Sequence, residues 1–496
     1  MDRLLDIPSH EARFAQRHAA SSSAPTLPSA AALRTAASSL PSPSSPAYLA
    51  GAPASAVATH IARDIVPALT GQNASARYFG FVTGGVLPLA EWADNVVSAL
   101  DQNVQVHLPT QTAATGVEDA ALEMLVHALR LERGGWRGRT CTTGATASNI
   151  LGLACGREHV LAGASGEVGL LAAAAAAGVA EVQVLTSMGH SSLSKAASVV
   201  GLGRRAVREL RLSDAEPWRF DLDAAEAAMQ RPGVATILAV SAGEVNTGRY
   251  ALQGVDEWRR LRALADRYGA WVHVDGAFGV FARALEQTEE YRLLHERVEG
   301  IELADSITID GHKLLNVPYD CGMFFCKSPA IMQAVFTNPN ASYLASSTSA
   351  TIPSPLNMGL ENSRRFRALP VYAVLLSEGR PGLAGMLGAM AQLSRAIAAF
   401  LRDSLHYELL PESSNAAEEI FVSVLFRAKD AALNETLVAR INETRQMYVS
   451  GTMWRGKTAV RIAVSNWRVN VERDAAVVRE ILTCVAEGRV FDLGNC

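Results

Sequence analysis

Two short stretches carry the residues best suited to chemistry. Trp271-Val272-His273-Val274-Asp275 and Asp305-Ser306-Ile307-Thr308-Ile309-Asp310-Gly311-His312-Lys313 each read as a buried strand delivering a charged residue at its C-terminal end. In an open α/β sheet that end is where ligands bind. An Asp and a Lys on neighbouring strand ends suit pyridoxal 5′-phosphate (PLP): Lys313 would form the Schiff base, and Asp275 would keep the pyridine nitrogen protonated. Buried charges are costly unless paired, so such a placement calls for a reason. A structural Asp–Lys ion pair beneath a loop is the alternative.

Three more loops carry apt residues. Arg139-Thr140-Cys141-Thr142-Thr143-Gly144-Ala145-Thr146-Ala147-Ser148-Asn149 runs from a short strand through small residues into a helix over 149–159. Backbone N–H groups at such a helix start attract an anion, and a phosphate is the natural guest. Ordinary capping explains the same residues equally well. His190, in Ser187-Met188-Gly189-His190-Ser191-Ser192, sits between a strand and a helix and reads as a cap, a base or a stacker over a planar ring. The run Ser241-Ala242-Gly243-Glu244-Val245-Asn246-Thr247-Gly248 is a Gly-rich turn at the same edge.

The elements that position these residues follow from periodicity. Between about 138 and 335, apolar runs at 181–186, 234–241, 270–275, 305–310 and 321–326 alternate with helical patterns at 191–202, 221–230 and 255–268. Such alternation implies βαβ units and a mostly parallel sheet. Ahead of it lie an N-terminal helix, a Ser/Pro/Ala-rich linker over 20–47 and helical patterns at 54–69, 88–101 and 116–133. After 361, a helical stretch (365–404), a strand (419–426), a helix (434–445), a hairpin (446–465) and a last helix (471–486) predict a small α+β domain. The division reads as 1–53 helix and linker, 54–119 helical segment, 120–360 large PLP-binding domain and 361–496 small domain. Val168–Ala180 is the longest apolar run, too short to span a bilayer and suited to a buried helix.

The order Thr143-Gly144-Ala145-Thr146, His190, Asp275-Gly276-Ala277, His312-Lys313 resembles the group II PLP-dependent amino-acid decarboxylases, relatives of the aromatic-amino-acid and glutamate decarboxylases. The likeness extends to Leu314–Gly322 after the lysine, to Gly359–Leu369, similar to the family's Arg-Arg-Phe helix, and to Val460–Arg468, similar to its closing strand. It covers roughly residues 55–490. The resemblance implies a fold-type-I α/β enzyme, a homodimer with shared active sites, and roles residue by residue. Lys313 is then the Schiff-base lysine, Asp275 the partner of the ring nitrogen and His190 the ring stacker. Gly144, Ala145, Thr146 and His312 lie on the phosphate side, and Ala277 packs on the ring. Tyr343 matches a loop tyrosine that returns a proton to the substrate carbon; an ordinary loop aromatic is its alternative. Tyr78, Phe79, Phe81 and His107 lie where relatives approach the substrate across the dimer, although aromatics there also serve as simple core.

Three positions depart from the pattern. Ala147 stands where a Glu is frequent, Asp310 where several relatives place Asn, and Glu244 where a small polar residue is commoner. Glu244 would disturb the charge balance beside the ring or contact a basic substrate.

Composition supports a soluble enzyme. The chain has 496 residues, 49% hydrophobic and 19% charged, with a net charge of −4 and no basic tract to bind nucleic acid. Six scattered cysteines lack metal-ligand spacing and read as reduced thiols. No signal peptide or membrane span is evident, so the cytoplasm is the default compartment. The expected reaction is decarboxylation of an L-amino acid to its amine. Carbon–carbon lyase, aminotransferase or oxidative chemistry on the same scaffold, or a PLP-binding pseudoenzyme, are the rivals. Aromatic substrates lead acidic ones, because no unpaired Arg stands out as a carboxylate clamp.

Overall fold

The computed structural model describes residues 6–21, 25–46, 48–163, 165–339, 352–411 and 417–492. Its centre is a seven-stranded sheet of β1 (Gly138–Thr142), β2 (Glu181–Thr186), β3 (Val207–Glu209), β4 (Val234–Ser241), β5 (Trp271–Asp275), β6 (Ser306–Asp310) and β7 (Gly322–Cys326). The strand order is β1-β7-β6-β5-β4-β2-β3. Every neighbouring pair from β6 outward to β3 is parallel, and β7 runs antiparallel to both β6 and β1. The central strands are apolar almost end to end because both faces of the sheet are covered.

Strand alternation assigns the two faces. Trp271 packs into the cluster formed with the helix Ala145–Val160, together with Leu151, Ile237 and Phe324. Val272 and Val274 point the other way, into the larger core shared with the helix Val255–Tyr268 and with Ala368–Asp403. That last helix has 36 residues and is interrupted at Gly379 (φ 55°) just before Pro381. It is long and apolar enough to cross a bilayer, yet half of its most apolar window is buried within the fold.

A second sheet follows: β8 (Tyr407–Leu410), β9 (Ser423–Ala428), β10 (Ser450–Trp454) and β11 (Lys457–Ala463), antiparallel throughout and ordered β8-β9-β11-β10. The chain is thus a fold-type-I α/β structure with a mostly parallel central sheet.

Local readings fail in instructive places. Val168–Ala180 is a surface segment: its helix, Leu170–Ala176, buries only Ala173 and leaves Leu171 exposed. The Ser/Pro/Ala-rich stretch contains a helix, Ala30–Ser39, whose first turn is capped by Ser29. Arg364–Arg365 is a two-residue strand paired with Asn103–Val104, not part of a helix. Arg364 is drawn there by Glu118, its buried bidentate partner. β8 was not legible in the sequence, and the helix after β1 begins at Ala145, four residues before the predicted start.

Candidate active site

The loops following β1, β2, β4, β5 and β6 converge on one cavity of about 380 Å³ at the C-terminal edge of the parallel strands. Its walls include Thr143 to Ala147, His190, Glu244, Asp275, Ala277, His312 and Lys313. The five loops, each ambiguous in isolation, are therefore one site, as the strand-end rule requires.

Lys313 lies in a π-helical turn, Gly311–Leu315, directly after β6. Its Nζ is 2.9 Å from Asp310 Oδ2 and 5.9 Å from the centre of the Phe278 ring. Lys313 thus pairs with Asp310, three residues away, and not with Asp275, which has other partners, so the alternative of an Asp275–Lys313 ion pair is not what is found. Asp275 accepts hydrogen bonds from Asn149 Nδ2 at 2.9 Å and from the Ala277 amide at 3.3 Å. The turn bearing Lys313 is clamped from outside. A Cβ on Gly84 would fall 2.1 Å from the Lys313 carbonyl oxygen, so only glycine lets the N-terminal loop lie this close. Asn316, at the end of the turn, binds Gly85 and the Ser465 carbonyl and so ties three parts of the chain together.

His190 caps the helix Ser191–Val199, its Nδ1 accepting from the Ser192 amide at 3.2 Å. That bond leaves Nε2 as the protonated nitrogen of a neutral ring, and burial holds the imidazole below its ordinary pKa. Cap and cavity wall are one residue. His312 is fixed likewise: Nδ1 accepts from the Cys321 amide at 3.1 Å, the ring stacks on Tyr319 at 4.1 Å, and burial again lowers its pKa.

The cavity fits PLP. The 16-residue helix Ala145–Val160 starts at Gly144 without a side-chain cap, so its first amides are open to an anion. Gly144 has φ 147°, and a Cβ there would lie 3.1 Å from His312 Cε1, so the glycine keeps this corner open beside the histidine. Asp310 Oδ1 is buried beside this corner with no hydrogen-bond partner among the described residues, and as an acceptor it calls for a donor, not for an anion. Ala145, Ala147 and Ala277 leave room that larger side chains would fill.

Glu244 is buried and pushed above its ordinary pKa by desolvation. Its carboxylate accepts from the Asn246 amide at 2.8 Å and from the amide and hydroxyl of Thr247. It therefore builds the turn that carries the Val245 carbonyl, and that carbonyl accepts from Arg461 Nη1 at 2.9 Å. Arg461 is the residue the sequence reading missed. It is buried on β11, lines the cavity, and its Nε has no hydrogen-bond partner among the described residues. The available signal was an arginine within an otherwise apolar strand pattern, Ala459-Val460-Arg461-Ile462-Ala463.

The four residues proposed for substrate contact separate. Phe81 is exposed at the cavity, in the left-handed region (φ 61°). Phe79 is fully buried in the core, Tyr78 stacks on Tyr448 at 4.7 Å, and His107 bonds Thr115 Oγ1 at 2.7 Å. None of those three lines this cavity. Tyr343 lies outside the described residues.

Comparison with known proteins agrees with the geometry. The family model of the pyridoxal-dependent decarboxylase conserved domain matches residues 91–429. L-2,4-diaminobutyrate decarboxylase of Acinetobacter baumannii is 30% identical over 303 residues, 58% of this chain and 54% of that protein. Aspartate 1-decarboxylase of Aliivibrio fischeri is 27% identical over 394 residues, 75% of this chain and 67% of that protein. These matches span between about half and two thirds of the relatives' length. The structure of Oryza sativa TDC with PLP and tryptamine superposes with a TM-score of 0.77 at 22% identity, covering 98% of each chain. Matched along more than half its length, with lysine, aspartate and anion-ready helix start gathered in one cavity, this chain belongs to the pyridoxal-dependent decarboxylase family.

Proposed function

We propose that this protein removes the carboxylate of an L-amino acid as CO2 and releases the corresponding amine. The observation that carries the reading is the delivery of Lys313 and Asp275 from adjacent parallel strands into one cavity beside an uncapped helix start. PLP supplies an electron sink for the pair left on Cα when CO2 departs. Lys313 would hold the cofactor's aldehyde through its Nζ and would be the base nearest to it in the cavity. Asp275 keeps a proton on the ring nitrogen, and His190 and Ala277 bound the slot for a planar ring. Arg461 is suited to a substrate carboxylate, because its guanidinium lines the cavity and keeps an N–H without a hydrogen-bond partner among the described residues, with Glu244 near enough to balance part of its charge. Tyr343 returns the proton to Cα, in a homodimer whose subunits share active sites.

Phe81 and the half-exposed Tyr319 give the entrance an aromatic lining, which supports an aromatic side chain. Arg461 supports an acidic one equally, as the aspartate of one relative's name does, whereas the diaminobutyrate of the other carries a basic side chain. The test is a screen of amino acids for CO2 release with mass analysis of the product, alongside Lys313→Ala. Amine and CO2 in equal amounts, with loss of the protein's visible absorbance in the variant, are expected. Carbon–carbon cleavage without CO2 would replace the decarboxylase with a lyase, a keto acid without CO2 would indicate an aminotransferase, aldehyde with CO2 would indicate oxidation, and an unchanged spectrum would remove Lys313 from the cofactor.

A further inference from the structure

Beneath Asp275 lies a chain of buried polar side chains that neither the family roles nor the proposed reaction uses. Strand alternation places Trp271, His273 and Asp275 on one face of β5, with Ser306 and Thr308 beside them on β6. The helix Ala145–Val160 covers that face with Asn149, Gly152 and Gly156, spaced at helical period. Trp271 Nε1 lies 3.0 Å from Ser306 Oγ, which lies 2.8 Å from His273 Nδ1. His273 Nε2 is 3.0 Å from Asn149 Oδ1, and Asn149 Nδ2 is 2.9 Å from Asp275 Oδ2. All the middle members are buried, and His273, Ser306 and Asn149 have no exposed surface.

The two ends determine every proton between them. An indole N–H only donates and an ionised carboxylate only accepts. Ser306 therefore accepts from Trp271 and donates to His273 Nδ1. His273, neutral because burial pushes its pKa down to about 4, donates from Nε2 to Asn149 Oδ1. Thr308 Oγ1 donates to the same Oδ1 at 2.9 Å, which fixes the amide orientation a second time. Along this line each donor points toward Asp275, and Asn149 Nδ2 gives its second hydrogen to Ser192 Oγ at 3.1 Å. Room for this arrangement is kept in the helix: a Cβ on Gly152 would lie 2.3 Å from His273 Cε1, and one on Gly156 2.9 Å from Trp271 Cδ1.

We propose that Asn149, His273 and Ser306 are positioning residues forming a hydrogen-bond relay that fixes the Asp275 carboxylate in place and aims it at the cofactor's ring nitrogen. The inference rests on the PLP reading above and adds to it which residues set the strength of that contact. Asn149 Nδ2 and the Ala277 amide each engage one oxygen of the carboxylate, and a donor that cannot turn away keeps it in that orientation.

The test uses the full chain, freed of cofactor and titrated with PLP, with affinity and visible spectrum followed against pH and thermal unfolding as the folding control. Asn149→Leu keeps the branched shape and removes the relay's donor to Asp275, leaving only the Ala277 amide; PLP affinity should fall roughly 10- to 100-fold, the worth of one hydrogen bond to a charged group. Asn149→Asp keeps the shape but donates only while protonated. Its affinity should fall as pH rises and the new carboxyl ionises against Asp275, with His273, His190, Lys313 and Asp310 the other titratable groups nearby. For a merely structural asparagine the exchange would lower the unfolding temperature as pH rises but leave the PLP affinity of the folded protein unchanged. Ser306→Ala, further along the relay, should weaken affinity roughly 3- to 10-fold, as for a neutral bond. Folded Asn149 variants with wild-type affinity and no pH dependence would overturn the relay. Should neither Asn149 variant fold, an unchanged Ser306→Ala protein overturns it alone. A wild-type chain that fails to bind PLP refutes the functional reading instead.

Discussion

Gly152→Ala sets two physical effects against each other. In an isolated helix the exchange is favourable, since alanine exceeds glycine in helix propensity by about 1 kcal/mol. Here the new Cβ would lie 2.3 Å from His273 Cε1, 2.5 Å from Nδ1 and 2.8 Å from Nε2. Carbon atoms rest about 3.5–4.0 Å apart, so the imidazole would have to retreat by more than an ångström. Phe324 stands close by, its ring centre 6.4 Å from that of His273, and the histidine is fully buried. Overpacking of this kind costs roughly 1–3 kcal/mol. The bonds to Ser306 and Asn149, now 2.8 and 3.0 Å, would stretch beyond useful length, at about 1 kcal/mol each. The balance is a destabilisation of roughly 2–4 kcal/mol despite the better helix former. Urea unfolding of the cofactor-free protein, followed by tryptophan fluorescence, should show a lower midpoint, and PLP should be retained less well. A variant as stable as the wild type, with unaltered retention, would refute the packing argument and the relay geometry with it.

Acid should destabilise the fold in a defined window. The unfolded chain protonates His273 near its ordinary 6.5, whereas the folded one resists until about 4. Stability therefore falls as pH drops through that window, by roughly 3 kcal/mol at about 1.4 kcal/mol per pH unit. Unfolding midpoints at pH 7 and 5 should differ less in His273→Gln than in the wild type; equal differences would acquit His273. Arg461→Met should raise KM for the substrate roughly 10- to 100-fold, the loss of a charge-assisted hydrogen bond, with PLP titration unchanged; an unaltered KM removes Arg461 from substrate binding. Tyr343→Phe should suppress amine formation and divert turnover toward aldehyde, detectable by mass analysis of the product, and full amine output would exclude it from proton return.

What was legible in the sequence was local and periodic. Apolar runs bounded by turn residues marked β2, β4, β5, β6 and β7 to within a residue, because fully buried strands tolerate little else. The types and order of Gly144, His190, Asp275 and Lys313 pointed to the cofactor, since few other tasks call for that set. Contacts between distant segments were not legible. Arg461 comes into the cavity from a strand almost 150 residues beyond Lys313. Glu244 spends its carboxylate on its own turn, which no residue type announces. Val168–Ala180 had the composition of a core helix and lies on the surface, because burial depends on what packs against a segment. Periodicity chose the face of β5 on which Trp271, His273 and Asp275 stand. Only the helix laid across that face, with Asn149, Gly152 and Gly156 in matching register, made those alternate residues a connected chain. A sequence specifies which groups share a face through its own repeat; which groups meet across two faces is decided by packing between elements.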